Sequence, residues 1–296
     1  MRPVLIEINQ DRPGFNHFIG SWLYQGEMTI LVDVGPASSS GRLIQSLRDM
    51  DLETLDLILI THIHIDHAGG LAHVLESFPK ARVICHQKGI RHLVDPERLW
   101  AGSLETLGEV AEAYGPLTPV KKEFFISHEE AVINNLQVVE TPGHAPHHLS
   151  FIYEGNLFVG EAGGTYLFFR EHSYLRPATP PRFFPDLFLQ SIDKLLGLED
   201  LPIFFGHLGM AESSHAMLSR HRDQLIRWGE IILGESRKGF RTVDFYCDLL
   251  IEVDPELAFY NSLGSEYRQR ERFFLCNSIR GYLDHFKENR SFPGIT

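Results

Sequence analysis

The sequence predicts an α/β fold that passes into an all-helical C-terminal third, on three observations. From residue 4 to about 205, short apolar runs bounded by turn residues alternate with segments of helical period. From about residue 213 the strand pattern ends and only helical spacing remains. The stretch Thr61-His62-Ile63-His64-Ile65-Asp66-His67-Ala68-Gly69-Gly70 lies between an apolar run and a helical segment. That is a strand-to-helix loop, where α/β folds usually place their chemistry.

Residues 4–8, 18–23 and 29–33 read as strands, with turns at Asp11-Arg12-Pro13-Gly14 and Gln25-Gly26. Ser38-Ser39-Ser40 caps a helix running to about Met50, with Leu43, Ile44 and Leu47 inward. The buried strand 57–60 follows, then the histidine loop and a helix to Phe78 built on Leu71, Val74 and Leu75. Residues 82–85 form a short strand, and 87–114 is helical with interruptions at Pro96 and Gly102, as an insertion would be. A second strand series occupies 123–126, 136–140, 149–153 and 157–159, with hairpin turns at Asn134-Asn135 and Glu154-Gly155-Asn156. The Pro- and aromatic-rich stretch 170–185 is expected to be a loop, followed by a helix over 184–196 and a strand over 202–205. Helices are then expected at 215–233, 242–253 and 266–287.

Bulk properties narrow the function. A chain of 296 residues, 43% hydrophobic and 22% charged, has the composition of a globular protein with one large or two modest domains. No apolar stretch approaches the ~18–20 residues needed to cross a bilayer, and residues 1–10 lack a signal pattern, so the expected location is cytoplasmic with no membrane partner. Three scattered cysteines, Cys85, Cys247 and Cys276, do not make a disulfide framework. A net charge of −12 argues against a nucleic-acid partner, which needs clustered Lys and Arg. The expected partner is a small-molecule substrate, and a homodimer is compatible with the chain.

The histidine loop points to a metal. Imidazole suits transition ions and carboxylate adds a charged ligand. Three histidines and an aspartate within six positions, His62, His64, Asp66 and His67, are poorly explained as an ordinary polar loop. His62 and His64, two apart, share one side of an extended segment. Four further residues repeat one setting, a strand end followed by a Gly-containing turn: Asp33, His144, Glu161 and His207. If those strands are neighbours, their ends converge on one edge. His148 reads either as a supporting hydrogen-bond partner behind the site, as a substrate contact or as a packed strand residue.

The order Asp, His-x-His-x-Asp-His, Pro-Gly-His, Gly-acid, Gly-His resembles the metallo-β-lactamase superfamily over about residues 1–210. The resemblance implies a four-layer αββα sandwich with a metal site at one edge of the paired sheets and, here, a C-terminal helical extension. It implies a catalytic domain over 1–212 and a helical region over 213–296. By this likeness His62, His64 and His144 hold one divalent ion, and Asp66, His67 and His207 hold a second. Asp66 also helps aim the attacking hydroxide, and Asp33 orients a ligand imidazole through its free ring N–H. Zinc is the expected metal, with iron and manganese as alternatives. Glu161 departs from the pattern, because the family usually has Asp there. The added methylene leaves three outcomes: a bridge between two ions, binding to one only, or a weakened second site.

The implied activity is hydrolysis of a thioester, lactone, other ester or phosphodiester by a metal-activated water. The rival readings are an iron-dependent oxygenase or other redox enzyme of the same superfamily, a nuclease or phosphodiesterase, and a binding protein with a degenerate site. The flavodiiron type usually carries Glu where this chain has His64. Leu99, Trp100 and Tyr114, with Tyr166, Phe168, Phe169, Arg170, His172 and Tyr174, are candidates for an apolar wall with a cationic contact. Trp100, Tyr166, Phe168 and Arg170 are the expected substrate contacts, with plain core packing as the alternative. The helical C-terminal region is similar in placement to that of glyoxalase II-like members.

Overall fold

A computed structural model describes residues 2–239, 241–289 and 291–294. Strands β1 (Val4–Glu7), β2 (Gly20–Gln25) and β3 (Thr29–Val32) lead to helix α1 (Ser40–Asp49). Then come β4 (Leu57–Leu59), α2 (Ile65–Ala68), α3 (Leu71–Ser77) and β5 (Arg82–Cys85). The segment expected to be an insertion forms α4 (Gln87–Val94), α5 (Glu97–Leu107) and α6 (Glu109–Tyr114), before β6 (Phe125–Ser127). The second half runs β7 (Leu136–Glu140), β8 (Leu149–Tyr153), β9 (Asn156–Gly160), β10 (Thr165–Phe169) and β11 (His172–Arg176). It ends with α7 (Pro185–Leu196), β12 (Ile203–Phe205), β13 (Met210–Ala211), α8 (Ser214–Ser236), α9 (Val243–Val253) and α10 (Ser265–Glu288).

Two sheets result. One has the order β1-β2-β3-β4-β5-β6, antiparallel through β3 and parallel from there on. The other has the order β13-β12-β9-β8-β7. Because strand side chains alternate, each strand divides its apolar residues between two faces. Trp22, Tyr24, Ile30, Val32, Leu57 and Leu59 meet Leu149, Phe151, Tyr153, Phe158 and Phe204 in the layer between the sheets. Their neighbours Leu23, Leu31, Ile58 and Val83 turn outward against helices, as do Val139, Leu157, Val159, Ile203 and Phe205 of the other sheet. Near-continuous apolar runs such as Leu57–Leu59 are what burial on both faces requires. The four layers are therefore helices, sheet, sheet, helices. Hydrogen bonds tie the sheets at one edge: Trp22 Nε1 donates to the Phe205 carbonyl (2.8 Å) and the Leu149 amide to the Thr61 carbonyl (2.7 Å).

Two local expectations are corrected. Residues 170–185 are not all loop, because His172–Arg176 forms β11 and pairs with β10 around a two-residue turn. That turn uses Arg170 at φ 59, without the Gly or Asn that would advertise it. The insertion breaks at Gly108, where φ is 54, and not at Gly102, through which α5 continues. Among the described residues no helix is long and apolar enough to cross a membrane.

The C-terminal helices are bound in by buried charge. Glu271 on α10 accepts from Arg176 Nε (2.7 Å) and Arg270 Nε (2.8 Å), with all three side chains buried. Burial alone would raise the Glu271 carboxyl, but Arg176 and Arg270 hold it below the usual range. Arg270 also donates to the carbonyls of Gly14 and Asn16, fixing the loop that leads into β2.

Candidate metal centre

Apart from Asp66 and His67, each candidate site residue follows a strand: Asp33 after β3, His62 and His64 after β4, His144 after β7, Glu161 after β9 and His207 after β12. The shared edge of the two sheets therefore collects them. His62, His64, His144 and Glu161 each offer a ligand atom within 4.8 Å of the others, and Asp66, His67 and His207 do the same beside them. The structure thus brings all seven expected ligands together. Asp66 and His67 are presented by the short helix α2, which begins straight after His64 in extended conformation.

The hydrogen bonds behind the rings decide which nitrogen faces inward. His67 Nδ1 donates to Asp33 Oδ2 (2.9 Å), His207 Nδ1 to the Phe18 carbonyl (3.0 Å) and His144 Nδ1 to the Ala178 carbonyl (2.9 Å). The Thr61 hydroxyl gives its proton to Asp33 Oδ2 (2.8 Å) and so accepts from His62 Nδ1 (3.0 Å). In the neutral form of each of these four rings Nδ1 carries the proton and Nε2 keeps a lone pair. Those lone pairs converge on the Glu161 carboxylate. Oε2 lies 2.9 Å from His144 Nε2, 3.3 Å from His62 Nε2 and 3.5 Å from His67 Nε2, and Oε1 lies 3.4 Å from His207 Nε2. Asp66 Oδ2 stands 3.8 Å from His67 Nε2 and 3.9 Å from His207 Nε2. His64 turns Nδ1 to within 2.9 Å of His144 Nε2.

Lone pairs facing lone pairs and two carboxylates, with no ammonium or guanidinium among them, repel one another unless cations sit between. The Nε2 atoms of His62 and His67 are moreover buried without a hydrogen-bond partner. The donor set therefore fits divalent transition ions. Glu161 lies within 3.5 Å of histidines of both clusters.

Electrostatics agree. Burial, with His67 and His64 nearby, holds His62 well below the usual imidazole range, and burial beside His144 lowers His64 to about 4. Both rings are then free of a competing proton at neutral pH. Burial also opposes charge on His67, but Asp66 and Asp33 outweigh it and raise that ring. The surroundings that favour a proton there equally favour a metal cation.

Asp33 sits at φ 57, in the left-handed region that Asp tolerates better than most residues. From there Oδ1 accepts from the Thr61 amide (2.9 Å) while Oδ2 serves the Thr61 hydroxyl and His67. His148 is fully buried and does not reach the cavity. Its Nδ1 bonds the Thr141 hydroxyl (2.8 Å), and its Nε2 accepts from the Glu161 amide (3.0 Å), so it clamps the turn that presents Glu161. Phe18 lies face to face on the His207 ring (4.2 Å), and the Arg270 guanidinium covers Phe18 from beyond (4.4 Å). Sequence reasoning missed Thr61 and this stack; the threonine stood inside the motif, but nothing in the sequence linked Phe18 to Arg270.

A cavity of about 330 Å³ opens onto the cluster between the insertion and α10, lined by Asp66, His144 and Glu161 below and by Leu99, Tyr114 and Asn277 at its walls. The four expected substrate contacts lie elsewhere. Trp100 packs against the core from the α5 flank that faces away from the cavity. Tyr166 is buried against Phe205 and Phe168. Phe168 and Arg170 line a separate surface groove with Phe259 and Tyr267, because the β10–β11 hairpin carries them past the site.

A third cluster, His86, His128 and Glu140, also meets ligand spacing. Both of its Nδ1 atoms accept backbone amides, from Lys88 (3.0 Å) and Gln87 (3.1 Å). Both Nε2 atoms therefore carry protons when neutral and donate toward Glu140, which makes a histidine–carboxylate contact and not a metal site.

The family described as the metallo-beta-lactamase superfamily matches residues 18–207. The chain is 26% identical over 215 residues to a metallo-beta-lactamase fold-containing protein of Sulfurisphaera tokodaii, covering 69% of this chain and 77% of that one. It is 27% identical over 229 residues to a hydroxyacylglutathione hydrolase of Photobacterium profundum, covering 74% of this chain and 76% of the relative. The crystal structure of an archaeal metallo-beta-lactamase superfamily protein from Sulfolobus tokodaii shares the fold at a TM-score of 0.68 and 22% identity, over 96% of this chain and 100% of that one.

Proposed function

The chain belongs to the metallo-β-lactamase superfamily, and from that premise we propose that it is a metal-dependent hydrolase of a small ester-type substrate, a thioester or a lactone. The observation that carries this reading is the convergence of inward-facing histidine lone pairs on two carboxylates beneath an open cavity. The similarity to a hydroxyacylglutathione hydrolase supports thioester chemistry. A volume of about 330 Å³ suits a compact substrate.

His62, His64 and His144 would hold one divalent ion and Asp66, His67 and His207 a second, with Glu161 between them. Ions held by these residues would supply Lewis acidity, lowering the pKa of a water and polarising the scissile oxygen. The protein's own part is positional. Asp33 and Thr61 fix the His62 and His67 rings, and His148 fixes the Glu161 backbone. Asp66 lines the cavity, where its carboxylate accepts a hydrogen bond from the attacking water and takes its proton. As water adds to the acyl carbon, the C–S or C–O bond breaks, and that proton ends on the leaving thiolate or alkoxide. The test is an activity screen of protein reconstituted with Zn, Mn or Fe across thioesters, lactones, esters and phosphodiesters. Turnover of a small thioester or lactone is expected; failure to retain any metal under every reconstitution rejects the reading.

A further inference from the structure

Tyr114 ends α6 and closes the insertion over the cavity. Its side chain is 2% exposed and held edge-on by Phe15 (centroids 6.1 Å, 75°), so the ring is rigidly placed. Its hydroxyl has no hydrogen-bond partner. A buried hydroxyl left unsatisfied is destabilising, and phenylalanine would fill the same space without that cost. The residue lines the cavity together with Asp66 and His207, and its helix packs against α2, which carries Asp66. Burial and the Asp66 carboxylate hold the phenol above its ordinary range.

We propose that the Tyr114 hydroxyl is a substrate contact that donates a hydrogen bond to the carbonyl oxygen of the bound ester and holds it more tightly as charge develops there. The inference rests on the hydrolase reading. The empty hydrogen-bonding capacity is then satisfied only when substrate is present. A donor aimed at a developing oxyanion contributes most in the transition state, typically about 10²–10³ in rate.

The experiment compares wild type with Tyr114→Phe, both full length and metal-reconstituted. Hydrolysis of an acetyl thioester and a lactone is measured alongside metal content and thermal midpoint. The expected result is a kcat lower by about 10²–10³ with KM within about threefold. Metal content should be unchanged and the thermal midpoint equal or higher, since an unpaired hydroxyl has been removed. Unchanged kcat overturns the proposal. So does a loss of activity that tracks a loss of metal or of thermal midpoint, because Tyr114 would then be a packing residue. Calorimetric binding of acetate, the carboxylate product, to metal-loaded protein gives a readout independent of turnover. At least a fivefold weakening in Tyr114→Phe is expected, and equal affinity or no binding to either protein overturns the contact. If wild type hydrolyses none of the substrates, the hydrolase reading fails on its own, and the acetate comparison still decides whether Tyr114 touches an acyl oxygen.

Discussion

Glu161 shows at the scale of one residue how length becomes function. Its two oxygens reach His144 at 2.9 Å and His207 at 3.4 Å, one in each cluster. Asp at this position would withdraw the carboxylate by one C–C bond, roughly 1.5 Å. The backbone cannot follow, because His148 holds the Glu161 amide. Glu161→Asp should therefore bind fewer metal ions per chain than wild type, as counted by elemental analysis after reconstitution; an unchanged count would show that the turn adapts. Asp33 acts one step further back, with both oxygens engaged by Thr61 and His67. Asp33→Asn keeps the shape and tolerates the left-handed backbone, but puts an NH2 where donors already point. Metal affinity should drop about 10–100-fold with the fold retained, read by chelator competition and circular dichroism.

At the scale of elements, the β9-to-Glu161 junction is the tightest point. Gly160 has φ +58, and a Cβ there would come within 2.5 Å of His148 Nε2. Gly160→Ala should lower stability by at least ~1–2 kcal/mol and reduce metal content together, since the clash moves the His148 clamp and the ligand it holds. Urea unfolding and metal analysis would check this, and loss of either alone would argue against a shared cause. The same junctions explain what the sequence made legible. Asp33, His144, Glu161 and His207 each followed an apolar run and stood in a Gly-containing turn, so strand ends and site residues could be read together. The cavity walls could not. Leu99, Tyr114 and Asn277 come from three separate elements whose meeting depends on tertiary packing. Tyr166, Phe168 and Arg170 lay close to Glu161 in sequence, but the hairpin turn at Arg170 gave no Gly or Asn to show that they leave the site.

For the whole molecule, both halves of the chain contribute to one core, and acid should loosen it through a buried histidine outside the candidate ligand set. His221 on α8 is fully buried beside Phe188, and burial pushes its imidazole down to about 3. In the unfolded chain it titrates near 6.5. The folded protein thus keeps it neutral where the unfolded chain binds a proton. Its contribution is complete above about pH 6.5 and is lost as pH falls toward 3. Relative to wild type, His221→Gln should show a shallower decline in unfolding free energy below pH 6.5, by up to ~1.4 kcal/mol per pH unit; identical slopes would reject the assignment. The Arg270–Phe18–His207 stack couples the halves in another way. The ring that faces both carboxylates is backed by a residue near the start of the chain, which is covered in turn by a guanidinium from α10. On a translating ribosome every ligand through His207 would have emerged while that cover was still unsynthesised. The packing behind the His207 ring is therefore completed only once α10 has been made.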